Sequence, residues 1–428
     1  MKIFLKNRLI HKASIICGLT LIIIGSVSCV KSNDDDLQTL TLTSWRTDDV
    51  EQMNRINAMF TESHPNIKVN FLPVNATDYD EQTRNNLQLG TSADILFLRS
   101  YDKGRELYDK EFLYDLTELI PNLSSYSPVP VKAWSTEEGI TYGVPSVGVT
   151  HGIYYQKSIF EKYNLQEPVT WDEFIEVCET LLNAGETVLA QGIQDSWTLY
   201  EVIFSGLGAN FYGGESAREA LMAGELKCTD ENFVEAFRAV NSLKKYFPNN
   251  YETLDYPEMQ QLFGTGQAAL YIGGSWEISV FEELGSDHSK IAWFAPPVLE
   301  TADQLQYCFH VDAGIGINKD SKNLEAAIEY IEWVSGSEYA QSIMDELPGL
   351  FSYTPGSMSL SNPLAQKMLD AATTAALTVR PMCEKLSAQD PAGNNLMGTA
   401  LKEMILGNYT PETAAAFVQD QLDTWYKN

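Results

Sequence analysis

From residue 37 the chain alternates between two spacings of apolar residues. "LQTLTLTSW" (37–45) reads as a strand, and "DDVEQMNRINAMFTESH" follows with Val50, Met53, Ile56 and Phe60 on one helical stripe. "NIKVNFLP" reads as a second strand, and "TDYDEQTRNNLQLG" opens on the capping pattern Thr77-x-x-Asp80 and stops at Gly90. "ADILFL" (93–98) is an unbroken apolar run of the type buried in a parallel sheet. The pattern breaks at "YGVPSVGVTHGIYYQ" (142–156), where Gly143 and Pro145 lead into an aromatic strand. A second capping box, Thr170-x-x-Glu173, then starts a helix with Trp171, Phe174, Cys178, Leu181 and Leu182 on its apolar face.

Helical spacing dominates 197–263, and strands return at "AALYIGG" and "KIAWFAPP". "HVDAGIGINKDS" (310–321) mixes glycines with a short apolar strand, and amphipathic helices fill 322–346 and 362 to the end. The last begins at the cap Thr410-Pro411 and repeats Ala414, Val418, Leu422 and Trp425. Strands alternating with helices argue for an α/β fold, and no repeat of solenoid length interrupts them.

The length of 428 residues and 44% hydrophobic content allow a full core and favour two domains. Residues 1–28 have the form of a secretory signal: Lys2, Lys6, Arg8 and Lys12, a short apolar run, then small residues before Cys29. Cysteine after Ser26-Val-Ser28 suggests a bacterial lipoprotein signal with Cys29 lipidated, although Ser26 stands where a large aliphatic is usual. Residues 29–36 read as a hydrophilic tether. Without the signal, 25 basic residues face 58 acidic ones, a charge of −33 that opposes nucleic acid and suits a neutral ligand. Cys178, Cys228, Cys308 and Cys383 are widely spaced with no metal-binding pattern, so no metal or cofactor is expected, while disulfides stay open.

Among chemical motifs, "GTGQAA" (264–269) imitates a dinucleotide fingerprint, but its strand follows the glycines instead of preceding them. There is no HExxH, GxSxG, P-loop or EF-hand loop, and a catalytic carboxylate pair has no positive sign. His151 and His310 flank the two glycine-containing breaks, which makes them candidates for a cleft wall, with structural roles favoured.

Several segments together resemble the extracellular solute-binding proteins of ATP-driven carbohydrate importers, the maltose-binding-protein-like family. The carriers are "SADILFL" with "EFLYDLTELI", "YGVPSVGVTHGIYYQKSIFEKYNLQEPVTWDEFIEVCETL", "FGTGQAALYIGGSW" and "GIGINKDSKNLEAAIEYIEWV". Gln156 replaces the family's usual Asn, and "VTW" departs from its usual residue before TW. The resemblance implies a two-lobed periplasmic-binding-protein-like fold with a hinge and a ligand cleft, with lobe one at 37–144 and 312–349 and lobe two at 145–311 and 350–428. It implies a monomer that takes a carbohydrate ligand, delivers it to the permease subunits of an ABC transporter, and catalyses nothing. The alternatives are the same fold with a polyamine or peptide ligand, and a secreted carbohydrate-active enzyme.

Trp276 is the leading site residue: Gly273 and Gly274 turn the strand, Ser275 caps the next helix, and the ring is left facing the cleft to stack on a sugar. Trp45 and Arg46 end the first strand, and Arg99 and Tyr101 follow the third. Asp94 opens that third strand as either a ligand acceptor or a structural group. Trp197 in the second lobe, Asp312 in the second crossing and Arg380 in "TVRPM" complete the set, whereas Trp171, Trp293, Trp333 and Trp425 fit apolar core faces.

Overall fold

In the computed structural model of the protein, residues 37–356 and 359–426 are described. The expected signal, the lipidation site Cys29 and the tether lie outside the described residues. One sheet organises the fold: β1 (Gln38–Thr43), β2 (Ile67–Phe71), β3 (Ile95–Arg99), β4 (Val144–Gln156), β5 (Leu270–Gly274), β6 (Ile291–Phe294), β7 (Gln306–Ile317), β8 (Phe351–Ser352) and β9 (Ala376–Thr378). Its order is β2-β1-β3-β7-β4-β5, with β6 and β8 joined to β4 and β9 to β7. β1 runs parallel to β2 and β3, and β7 adds to β3 antiparallel. The apolar run in β3 is buried from Ile95 to Leu98, as helices on both faces of such a strand require.

Two long strands tie the halves of the sheet together. Residues 144–150 of β4 pair with β7, while 151–156 pair with β5 and β6. β7 likewise meets β3 through 313–317 and β9 through 306–308. The pairing of β4 with β7 slips between Pro145 and Gly148, an irregularity that bends the strand where glycine and proline break the sequence pattern.

Helices form where the spacing predicts them, with local differences. In Val50–Ser63, Met53, Ile56 and Phe60 are buried, but Val50 at the helix start stays 37% exposed. The capping box at Thr170 forms, and Phe174, Cys178 and Leu181 line the buried face, while Leu182 points out. Thr410 caps the last helix, Pro411–Leu422. Gly90 ends Tyr79–Leu89 in the left-handed conformation that favours glycine. Thr77 does not cap that helix: its hydroxyl donates instead to Asp195, 3.0 Å away. Among the described residues, Cys178, Cys228, Cys308 and Cys383 form no disulfide with one another. Among the described residues, no helix is long and apolar enough to cross a membrane.

Candidate functional site

The carboxyl end of β3 turns sharply into the helix Asp102–Asp109 through Tyr101, whose φ of 58° is a conformation that a residue with a side chain rarely adopts. This turn puts Arg99, Ser100, Asp102 and Lys103 along one side of a cavity of about 60 Å³. Opposite them stand Tyr200 and Glu201 from the π-helix Thr198–Phe204, His310 and Asp312 from β7, and Arg380 with Met382 and Cys383 from the segment after β9. Single π-turns recur at functional sites because the extra residue per turn re-aims side chains.

Arg380 is the centre of this cavity. Its guanidinium lies 2.9 Å from Glu201 and 3.4 Å from Asp312, and its buried Nε has no hydrogen-bond partner among the described residues. Burial works against its charge, but Glu201 and Asp312 outweigh that and keep it firmly protonated. On the facing side, Arg99 stacks 3.9 Å above the Trp45 ring and reaches Asp80 at 3.4 Å, and Lys103 pairs with the same carboxylate. Burial pushes the Asp80 carboxyl up, yet Arg99 and Lys103 together hold it below the usual range. Asp102 has no such cation, so burial, with Glu384 nearby, pushes it up to about 7.

His310 offers Nε2 to the Ser100 hydroxyl at 3.3 Å and takes the Arg380 backbone amide on Nδ1 at 3.4 Å. His151 is also buried, and among the described residues its ring nitrogens make no hydrogen bond of ordinary geometry, although the Cys308 backbone is near enough to favour the protonated ring slightly. Burial, then the charge of Arg380, drives both histidines well below their ordinary pKa, so both are neutral.

A second cluster adjoins the first through His151, whose ring meets Trp276 edge-on at 5.5 Å. Its hub is Tyr256, the first residue of the helix Tyr256–Gly264. The Tyr256 hydroxyl accepts the Trp276 indole N–H at 2.8 Å and donates to Glu277 at 2.8 Å. Its ring meets Trp197 at 4.8 Å, and its backbone amide donates to Asp195, the carboxylate that also takes the Thr77 hydroxyl. Asp48 and Arg46, from the loop after β1, act electrostatically on Tyr256.

The family model for bacterial extracellular solute-binding proteins matches residues 43–341. The chain belongs to this family. An uncharacterized ABC transporter extracellular-binding protein of Pyrococcus horikoshii is 28% identical over 241 residues, a match spanning 54% of this chain and 55% of that relative. The mannitol-binding protein of Pseudomonas aeruginosa is 21% identical over 375 residues, spanning 83% and 80%. A solved chitin oligosaccharide binding protein superposes with a TM-score of 0.78 at 21% identity, covering 91% of this chain and 99% of its own. These likenesses fix the fold of this solute-binding protein as the two-lobed α/β architecture.

Within the solute-binding protein, Arg99, Asp312 and Arg380 come together at the cavity, and Tyr101 stands behind it with its ring 6.1 Å from His310. Trp276, Trp197 and Arg46 gather around Tyr256. Trp45 is 7% exposed, packed edge-on against Tyr79 and Phe97, and reaches the site only as the platform under Arg99. Arg46 forms an ion pair with Asp49. Asp94 is not at the cavity: it sits at the opposite, amino end of β3 and accepts from Thr41, Ser321 and Asn323, so its structural alternative describes its contacts.

Trp276 departs from expectation in its surroundings. The ring is 6% exposed and folds back over Gly274, where a Cβ would lie 2.1 Å from the indole. Gly274 thus serves close approach, and neither Gly273 nor Gly274 has the positive φ of a tight turn. Ser275 is not the cap of Glu277–Glu283 either: it receives the Thr150 amide and donates to the Gly349 carbonyl. Sequence reasoning missed Tyr256, Glu201, Asp195 and Glu277. Only the helix-start signature Asp255-Tyr-Pro-Glu258, whose capping box forms, marks Tyr256 as lying at an element end.

Proposed function

We propose that the protein captures a neutral, hydroxyl-rich carbohydrate between its lobes and presents it to the permease of an ATP-driven importer, without chemical change. The observation that carries this reading is Arg380, a planar fork of donors with one buried N–H unpaired among the described residues, set between two carboxylate acceptors. Such a group offers both halves of the donor and acceptor pairs that sugar hydroxyls require. Charge supports neutrality: Asp80 pairs with Arg99 and Lys103, and Glu201 and Asp312 pair with Arg380, so three cations meet three carboxylates. The names of relatives, a mannitol-binding protein and a chitin oligosaccharide binding protein, support the same ligand class.

The cavity of about 60 Å³ has room for no more than a few water-sized molecules. Ligand entry therefore requires the lobes, at 37–144 with 312–349 and 145–311 with 350–428, to part by bending where β4 and β7 cross. Opening moves the loop carrying Arg46 and Asp48 away from Tyr256 and uncovers Trp276 and Trp197 for stacking on the sugar ring. A micromolar dissociation constant, about −8 kcal/mol, suits capture followed by release. Closure then signals loading, because only ligand touching both lobes shifts that equilibrium. Lipid on Cys29 and the tether at 29–36 would hold the monomer at the membrane surface beside its permease.

The test is intrinsic tryptophan fluorescence of residues 30–428 titrated with mannitol, galactose, raffinose, maltotriose and chitotriose, repeated with Trp276→Ala and Arg380→Met. A saturable change, lost in both variants, with the sugar recovered intact by chromatography, is expected. A response to spermidine or a peptide but to no sugar would transfer the ligand class, and sugar fragments would overturn the non-enzymatic reading.

A further inference from the structure

Glu277 is fully buried and follows Trp276 in the chain. Its carboxylate is surrounded by neutral donors: the Tyr256 and Tyr271 hydroxyls reach Oε1 at 2.8 Å each, and the Gln260 amide reaches Oε2 at 2.9 Å. A hydroxyl has one hydrogen to give. Once Tyr256 spends it on Glu277, the lone pairs of its oxygen face the Trp276 indole N–H, also 2.8 Å away. A directional relay runs from Trp276 through Tyr256 to Glu277.

The groups facing the carboxylate come from each element packed around it. Tyr256 and Gln260 lie on one helix, Tyr271 on β5, and Tyr154 on β4, where its hydroxyl donates to the Gly274 carbonyl. Asp48, on the loop after β1, adds a like charge, and Arg46 beside it acts on Tyr256. The ionised carboxylate satisfies all three donors. The protonated one sets a hydrogen among hydrogens, and a tyrosine must turn away to receive it. Burial is the main force that lifts this carboxyl to about 7.

We propose that Glu277 is a positioning residue of the ligand site, which acts through Tyr256 to fix the plane of the Trp276 indole and the direction of the Tyr256 hydroxyl. This rests on Trp276 contacting the ligand, as proposed above; Glu277 itself touches none. Protonation of Glu277 loosens the relay, so affinity falls on acidification.

The test follows the indole ¹H–¹⁵N resonance of Trp276, assigned by its loss in Trp276→Phe, from about pH 5 to about pH 9. In the wild-type protein it shifts with a midpoint near the expected carboxyl value of about 7. It is flat in Glu277→Gln and in Tyr256→Phe, the second variant breaking the relay while leaving the carboxyl in place. Affinity for those of mannitol, raffinose and chitotriose that the wild type binds falls about tenfold over the acid half of this range, and is pH-independent in Glu277→Gln. An indole resonance insensitive to pH, or one that titrates equally in both variants, overturns the relay. Undiminished sugar binding by Trp276→Ala, with the wild-type resonance still titrating, overturns the ligand role of Trp276 and with it the positioning role, while leaving the relay itself intact.

Discussion

Replacing Gly274 with alanine is expected to unseat Trp276. A Cβ at this position lies 2.1, 2.2 and 2.3 Å from three carbons of the indole's six-membered ring. Ordinary contact begins near 3.4 Å, so the ring must retreat by roughly 1 Å or more. The backbone cannot give way freely, because Gly274 pairs with His151 across β5 and β4. A ring displaced by that much loses its 2.8 Å bond to the Tyr256 hydroxyl. Overpacking costs roughly 1–3 kcal/mol and the lost hydrogen bond about 1 kcal/mol more. The assay is urea unfolding followed by circular dichroism for the wild type, Gly274→Ala, Trp276→Ala and the double variant. The substitution should cost about 2–4 kcal/mol beside the tryptophan and less than about 1 kcal/mol when Trp276 has been truncated. Equal costs in both backgrounds would refute the claim that the glycine exists to seat the ring.

Arg380→Met leaves Glu201 and Asp312 without their shared cation, which should cost about 3 kcal/mol in urea unfolding at neutral pH. Adding Glu201→Gln and Asp312→Asn should recover much of that stability without restoring ligand binding. Because His151 is neutral when folded, below its ordinary pKa of 6.5 the unfolded chain takes up a proton that the folded state refuses. Its contribution is therefore constant above pH 6.5 and declines as pH falls; His151→Phe should flatten that acid slope in thermal unfolding. Glu277 acts in the opposite sense: its folded carboxyl near 7, against an ordinary 4.5, makes stability fall as pH rises between these values. Glu277→Gln should remove that decline, on the order of 3 kcal/mol across the window, in unfolding measured at successive pH values.

The fold was legible because strands and helices announce themselves through spacing. The β3 run, the Met53–Ile56–Phe60 stripe and the Thr170 and Thr410 caps are local patterns with local causes. Readings failed where a side chain had a better partner far along the chain. Thr77 left its own helix for Asp195, and Ser275 left its helix for the Gly349 carbonyl. The sequence leaves Asp94 open between a ligand and a structural role, and its oxygens accept from Thr41, Ser321 and Asn323. The candidate site was half legible for the same reason. Arg99, Asp312 and Arg380 stand beside strands or crossing segments that the pattern predicts, so proximity followed from topology. Tyr256 and Glu201 owe their place to the helix packing that brings them against Trp276 and Arg380, and no spacing rule encodes that meeting.

Whether the protein is a carbohydrate receptor is decided by what it holds. The purified chain would be equilibrated with a mixed pool of small carbohydrates, polyamines and peptides, separated from free ligand, denatured, and its bound molecule weighed by mass spectrometry. One intact, neutral carbohydrate near one per chain is expected from the wild type and none from Arg380→Met. A bound polyamine or peptide, sugar fragments shorter than anything in the pool, or equal loading of the Arg380 variant would contradict this expectation.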